Sequence, residues 1–285
     1  MLMTAVLAMG ALAALLAVLL TIAAKRFSVQ EDQRLEAVLQ ALPGNNCGAC
    51  GRPGCRSFAQ ALLAGTARPA ECTVSSPSEK IRIAELLGVE VGRAERRVAR
   101  LACAGGANVA RLTARYVGEP TCAAAAIVAG GGKGCSWGCL GYGDCVASCD
   151  FDAIVLNGHG VPIVDEAACT ACGDCLEACP KDLFSLEPAA NRLWVACRNP
   201  EAGNDLLDDC EVACTACGKC AFDAPSLITM AGNLPVIDPG ETQDRSAIER
   251  CPTGAIVWID DFGQPVRGRE ARVINRQGSR RAGAT

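Results

Sequence analysis

The stretch from Cys135 to Cys179 holds eight cysteines in two groups of four, so whatever binds those thiols must organise the fold around it. The first group reads Cys135-x3-Cys139-x5-Cys145-x3-Cys149; the second reads Cys169-x2-Cys172-x2-Cys175-x3-Cys179, with Pro180 directly after. The full 285 residues contain 20 cysteines but only 6 Phe, 3 Trp and 2 Tyr. Small units with so few large side chains bury too little apolar surface to fold on that alone. Metal ligation supplies the difference, because a site that exists only in the folded chain contributes its binding energy to folding. A secreted disulfide scaffold uses cysteine as heavily, but the spacing favours metal. Structural zinc uses CxxC pairs separated by a spacer, not a run closed by Cys-Pro.

The run from Cys169 to Pro180 has the form found in bacterial ferredoxins, whose fourth cysteine ligates the neighbouring 4Fe-4S cluster. That crossover predicts one cluster on Cys149, Cys169, Cys172 and Cys175, and another on Cys135, Cys139, Cys145 and Cys179. Upstream, Cys47-x2-Cys50-x4-Cys55-x16-Cys72 places three thiols on a glycine-rich loop that can wrap a third cluster closely. Downstream, Cys214-x2-Cys217-x2-Cys220 opens a similar run, but its fourth position is Ala224, still followed by Pro225. Counting back from Cys251 in the same spacing lands on Ala247, Asp244 and Glu241. The vacated positions all belong to one cluster of a crossover pair, which leaves a fourth cluster on Cys214, Cys217, Cys220 and Cys251. Cys103, Cys122, Cys197 and Cys210 remain. Cys103 and Cys197 each follow a short apolar run, so a fold that sets those strands side by side would assemble a fifth cluster from the four. Buried thiols acting as small hydrophobes, or a disulfide, which a reducing compartment disfavours, are the alternatives.

Residues 1–24 carry no charge and are long enough to cross a hydrocarbon core of about 30 Å as one helix. Lys25 and Arg26 at the exit place the remainder on the cytoplasmic side; a cleaved signal peptide would need a basic start and a small-residue cleavage site. Capping boxes at Ser28-Val29-Gln30-Glu31 and Ser76-Pro77-Ser78-Glu79 start two helices, and a third covers Ser57 to Leu63. Residues 25–95 form a small helical four-cysteine domain, and residues 96–134 read as a connecting segment. Its Gly130 to Gly134 run lacks the Ser or Thr that a phosphate loop needs after Lys133. Hairpin signals at Asn157-Gly158 and Gly232-Asn233 belong to two related segments. Residues 135–190 form a two-cluster ferredoxin-like domain and 191–262 a degenerate copy with one cluster. Residues 263–285, with six arginines and one glutamate, read as a basic disordered tail or a surface for anionic lipid. The expected class is α+β, with tandem ferredoxin-like domains behind a transmembrane helix.

The N-terminal helix, PGNNCGACGRPGC with Cys72, CAGG at Cys103, GCSWGCLGYGDC, CTACGDCLEACPK and CTACGKC together resemble the B subunit of the Rnf electron-transport complex. The resemblance covers the chain to about residue 260; the vacated positions and the arginine-rich tail depart from it. It implies a single-pass protein on the cytoplasmic side of the cytoplasmic membrane, working with other subunits of the complex and with soluble ferredoxin. It also implies a translocase: electron flow between ferredoxin and NAD drives Na⁺ or H⁺ movement. An iron-sulfur subunit of another membrane oxidoreductase, or a redox sensor, are the rival readings. A net charge of −4 gives no reason to expect nucleic-acid binding, and His159 is the one histidine. With no G-x-G-x-x-G fingerprint, hydride chemistry is expected on other subunits, and no catalytic residue is expected here. An acidic ferredoxin would dock near exposed clusters, with Lys133, Lys181 and Lys219 as candidate contacts.

Overall fold

The computed structural model describes residues 2–26, 32–274 and 280–281, and the chain divides into two compact units. One comprises residues 1–46, 53–69 and 75–91, the other residues 47–52, 70–74 and 92–285.

The first unit is helical. Helix α1 (Leu2–Arg26) carries its only charges, Lys25 and Arg26, in the last turn, and its window Met9–Arg26 is long and apolar enough to span a membrane, with none of it buried. Helix α2 (Gln33–Ala41) is capped by Asp32, whose carboxylate accepts from Arg34 N at 2.9 Å. The expected capping box at residues 28–31 lies outside the described residues. Helix α3 (Cys55–Leu63) begins at Cys55, two residues before the expected start. Helix α4 (Pro77–Leu87) has the expected box: Glu79 N donates to Ser76 Oγ at 3.3 Å and Ser76 N to Glu79 Oε2 at 2.7 Å. Gly88, at φ 65°, ends it in the left-handed conformation that costs glycine least. Leu35 and Val38 of α2, Phe58 and Leu62 of α3 and Ile83 of α4 are all buried, and α2 packs on both other helices.

The second unit is built from short strands and helices. Strand β1 (Arg97–Leu101) opens it. Strand β2 (Arg111–Leu112), helix α5 (Cys122–Ile127) and the short helix α6 (Asp144–Ala147) follow. Strands β3 (Ile154–Leu156) and β4 (Pro162–Val164) form the first hairpin, with Ile154 opposite Val164. Its loop is tied by Asn157, whose Oδ1 accepts from His159 N at 2.9 Å and Val161 N at 3.0 Å. Helix α7 (Asp174–Glu177) and strand β5 (Phe184–Pro188) close the series, and β5 returns antiparallel to β1, from Arg97 opposite Pro188 to Leu101 opposite Phe184.

A second series of elements follows. Strand β6 (Leu193–Val195), the short helices α8 (Leu206–Asp209) and α9 (Lys219–Asp223), and the hairpin β7 (Ile228–Ala231) to β8 (Leu234–Ile237) come first. The hairpin turns at Gly232 and Asn233, at φ 53° and 65°, as a tight I′-type connection requires. A 3-10 turn, Arg245–Ile248, takes the place of a second helix, and β9 (Ile256–Ile259) pairs antiparallel with β6.

Two sequence expectations change here. Residues 96–134 are not a linker, because β1 lies within them and is locked to the first module. Arg100 of β1 is 6% exposed and is ion-paired with Glu166. The tail is not free from residue 263 either. Strand β10 (Pro265–Arg267) adds to β9 as the third strand of the β6 sheet. Beyond it, Arg272 N donates to Pro252 O at 2.9 Å, and β11 (Arg280–Arg281) pairs with β2.

Candidate functional site

The cysteines of the second unit gather into foursomes. Cys149, Cys169, Cys172 and Cys175 line one cavity, the grouping that the crossover predicts. Burial pushes the Cys175 thiol up to about 12, and the neighbouring Cys169, Cys172, Cys145 and Cys149 add to it. Ala99 N, from β1, donates to Cys169 Sγ at 3.4 Å. Strand β1 therefore supplies this site with a backbone N–H that donates to a cysteine sulfur, which the sequence spacing did not reveal.

A second cavity is lined by Cys122, Cys139, Cys145 and Cys179. A third is lined by Cys103, Cys135, Cys197 and Cys210. The expected sets thus exchange one member each: Cys122 stands where Cys135 was expected, and Cys135 joins the four-residue remainder. The reason is local. The turn in which Gly138 N donates to Cys135 O at 3.1 Å puts Cys135 and Cys139 on different cavities despite their closeness in sequence. Cys122 is brought in by Asp144, the residue before Cys145. Its carboxylate accepts from Cys122 N at 2.7 Å and Ala123 N at 2.9 Å, and Thr121 caps the same short helix through Ala124 N. Burial, reinforced by Cys122 and Cys179, pushes the Cys145 thiol up to about 11.

The third cavity lies beside the ends of β1 and β6. Cys103 follows β1 and Cys197 follows β6, and the strand ends come together through Ala104 N to Ala196 O at 3.1 Å and Trp194 Nε1 to Leu101 O at 2.8 Å. Burial pushes Cys210 up to about 12 and Cys197 to about 11. Cys139 N donates to Cys103 Sγ at 3.3 Å, linking this cavity to the second. Cys214 N donates to Cys197 Sγ at 3.3 Å, linking it to the next group. That group is Cys214, Cys217, Cys220 and Cys251. Burial pushes Cys214 up to about 11, with Cys251, Cys220 and Cys217 adding to the shift.

The loops that carry these thiols share a backbone. Ala171 and Ala216, at the same place in the two Cys-Thr-Ala-Cys-Gly segments, both have φ 57°, and Gly173 and Gly218 follow at 98° and 71°. Alanine adopts that region at a cost of about 1 kcal/mol or more, so both loops are held in it by their surroundings. The vacated positions are filled differently. Ala247 is 1% exposed in a core with Leu193, Leu227, Ile228, Ile248 and Ile256, against which Ala224 packs. Asp244 caps the 3-10 turn through Ser246 N at 3.2 Å, and Glu241 is exposed.

In the first cysteine group, burial raises Cys50 above the usual thiol range, with a smaller contribution from Cys72 and Cys47. Cys55 heads α3, its amide held by Asn46 Oδ1 at 2.9 Å. None of the twenty thiols is in a disulfide. Among the described residues no three His, Cys, Asp or Glu side chains converge closely enough to hold one ion. Four thiols ringing a cavity instead suit a group with several atoms of its own, and the all-sulfur donor set is that of an iron-sulfur cluster.

Of the three candidate docking lysines, Lys133 is half-buried, and its ammonium donates to Gly105 O and Cys139 O. It is not available to a partner. Lys181 donates to Ser136 O at 2.9 Å in a solvent-facing bond, and Lys219 lies 3.5 Å from Glu270. His159 keeps a loop role.

The FeS family model, for an Fe-S cluster, matches residues 42–74, and the 4Fe-4S binding domain model matches residues 162–184. The B subunit of the Na⁺-translocating ferredoxin:NAD⁺ oxidoreductase complex of Acetobacterium woodii is 44% identical over 86% of this chain and 74% of its own length. Its counterpart in the proton-translocating complex of Clostridium ljungdahlii is 33% identical over 82% and 84%. The B subunit of the ion-translocating oxidoreductase complex of Methanosarcina acetivorans is 33% identical over 68% and 74%. With thiols grouped for 4Fe-4S clusters, and with this likeness running through most of its length, the chain belongs to the family of Rnf complex B subunits.

Proposed function

We propose that the chain carries electrons through five 4Fe-4S clusters as the iron-sulfur subunit of an ion-translocating ferredoxin:NAD oxidoreductase complex. The carrying observation is the series of thiol foursomes in the second unit, each tied to the next. Cys149 with Cys169, Cys172 and Cys175 stands at one end. The Cys122, Cys139, Cys145 and Cys179 set follows through the α6–α7 crossover. Cys103 with Cys135, Cys197 and Cys210 comes next through the Cys139 amide, and Cys214 with Cys217, Cys220 and Cys251 through the Cys214 amide. Cys47, Cys50, Cys55 and Cys72 hold the fifth cluster. A bound 4Fe-4S cluster supplies one-electron chemistry, taking up and giving back a single electron.

The residues around the thiols set the conditions for that exchange. Burial excludes water, and the amides of Ala99, Cys139, Gly105 and Cys214 donate to thiolate sulfur, which favours the reduced, more negative state. The two modules are tandem ferredoxin-like repeats, and the second has given up one site for an apolar core. Electrons enter from soluble ferredoxin and leave to membrane subunits. Hydride transfer to NAD takes place on another subunit, and α1 tethers the chain with its remainder on the cytoplasmic side.

Iron analysis of the full chain, purified anaerobically from membranes, tests the assignment: about twenty iron atoms, at four per cluster, are expected. Cys122→Ser and Cys139→Ser should abolish the same magnetic-resonance signal, and Cys135→Ser and Cys210→Ser a different one. If Cys135→Ser removes the Cys139 signal and spares that of Cys210, the grouping is wrong.

A further inference from the structure

Lys133 stands between two of the foursomes and is bound to both. Its Nζ donates to the carbonyl of Cys139, which belongs to the second cavity, and to the carbonyl of Gly105, which borders the third. A Cβ built on Gly105 would lie 3.1 Å from Cys210 Sγ and 3.7 Å from Cys103 Sγ, so that carbonyl is attached to the wall of the third cavity itself. The lysine stem packs on the Cys135–Cys139 turn, where a Cβ on Gly138 would lie 3.2 Å from Lys133 Cε. The backbone is fixed as well, by a bridge to Leu112. Both acceptors are carbonyl oxygens, which solvate an ammonium without cancelling its charge. Of the acidic groups nearby, Glu201 is bridged to Cys135 by Asn199 Nδ2, at 3.3 Å from Glu201 Oε2 and 3.9 Å from Cys135 Sγ, and Asp209, beside Cys210, is ion-paired with Arg111 at 3.2 Å.

We infer that Lys133 is a positioning charge shared by the Cys122/139/145/179 and Cys103/135/197/210 clusters, holding both reduction potentials up together. This rests on the assignment of those eight cysteines to two clusters. Each reduction adds one negative charge, and a cation bound to the backbone of both sites favours the reduced form, in a half-buried setting where screening by water and salt is weak. Because one ammonium reaches both sites, it raises the two potentials in step and leaves the gap between them unchanged. It also offsets the repulsion between two neighbouring reduced clusters.

The test is a redox titration of the fully loaded full chain, followed by electron paramagnetic resonance, in wild type, Lys133→Gln and Lys133→Arg. The two relevant signals are identified by their absence from Cys122→Ser and Cys103→Ser chains. In Lys133→Gln both midpoints should fall together, by on the order of a tenfold change in the reduced-to-oxidised ratio, about 59 mV for one electron. Lys133→Arg should hold them near the wild-type values, and the other clusters should not move. Unmoved midpoints at full iron content, a shift in only one of the two, or an equal shift in Lys133→Arg would each overturn the proposal. If Lys133→Gln fails to load, iron falling to about twelve atoms with Lys133→Arg at about twenty supports a shared charge. Equal loss in both variants overturns it. A wild-type chain with about sixteen iron atoms would overturn the cluster assignment, and the Lys133 proposal with it, whereas normal wild-type loading with unmoved midpoints overturns the Lys133 proposal alone.

Discussion

Asp144 does two things from one position: it opens α6 directly before Cys145, and its carboxylate holds the amides of Cys122 and Ala123. Charge-assisted bonds of this kind contribute about 1.5–3 kcal/mol each at most when well formed. Asp144→Ala should therefore free the start of α5 and lower occupancy of the Cys122 site, with a loss of up to about four iron atoms per chain. Asp144→Asn, which keeps an acceptor, should lose less. Equal iron in all three proteins would show that Cys122 needs no such hold. Arg100 and Glu166 make the same point about β1. With Arg100 6% exposed, removing Glu166 would strand a buried cation, so the pair fixes β1 against the first module.

Among the elements, β10 and the segment after it decide how the second module is closed. A Cβ on Gly268 would collide with the carbonyl of Ile248, so this segment lies directly on the 3-10 turn. Arg267 covers Gly254, three residues past Cys251, and donates to Thr253 O. Gly268→Ala should lower the melting temperature by several degrees and expose residues 263–274 to protease, and a chain ending at residue 262 should melt lower by a similar amount. A chain ending at 274 should melt close to wild type, and equal melting of all these proteins would mean that the segment is not needed. The vacated positions differ from one another in the same module. Replacing exposed Glu241 by alanine should leave both iron content and stability alone. Ala247→Leu, at 1% exposure in a filled core, should cost about 1–3 kcal/mol by overpacking, read by denaturant unfolding, without being a ligand change.

For the whole molecule, the charge-free length of α1 and the lysine and arginine in its last turn argue for an anchor with its C-terminal end in the cytoplasm. A reporter fused after Thr285 should be active only in its cytoplasmic form, and removal of residues 1–26 should give a soluble, still brown protein. A mature N-terminus near Lys25 would exclude the anchor. Encounter with an acidic ferredoxin should depend on Lys181 and Lys219, because Lys133 is engaged with backbone carbonyls. Charge reversal at Lys181 and Lys219 should slow reduction by ferredoxin at low salt and have little effect at high salt. An unchanged rate at low salt would place docking elsewhere.

The amino-acid sequence by itself determined what is local. A run closed by Cys-Pro, two Cys-Thr-Ala-Cys-Gly loops, hairpins at Asn157-Gly158 and Gly232-Asn233, the Ser76 capping box and an uncharged apolar start are each written within a few neighbouring residues. Cysteine spacing therefore pointed to the cluster chemistry, and the uncharged apolar start to the candidate anchor. Only the tertiary structure decided which thiol shares a cavity with which. Cys135 is four positions from Cys139 in the chain yet lines a different cavity, while Cys122 reaches Cys145 through an aspartate that no spacing rule points to. The same holds for β1, whose partner β5 lies beyond the whole first module, and for β10, taken from a polar stretch that shows no strand periodicity. Ligand sets and strand pairs are contacts through space between distant segments, and a periodic sequence signal exists only where the contact lies within one turn, one helix or one hairpin.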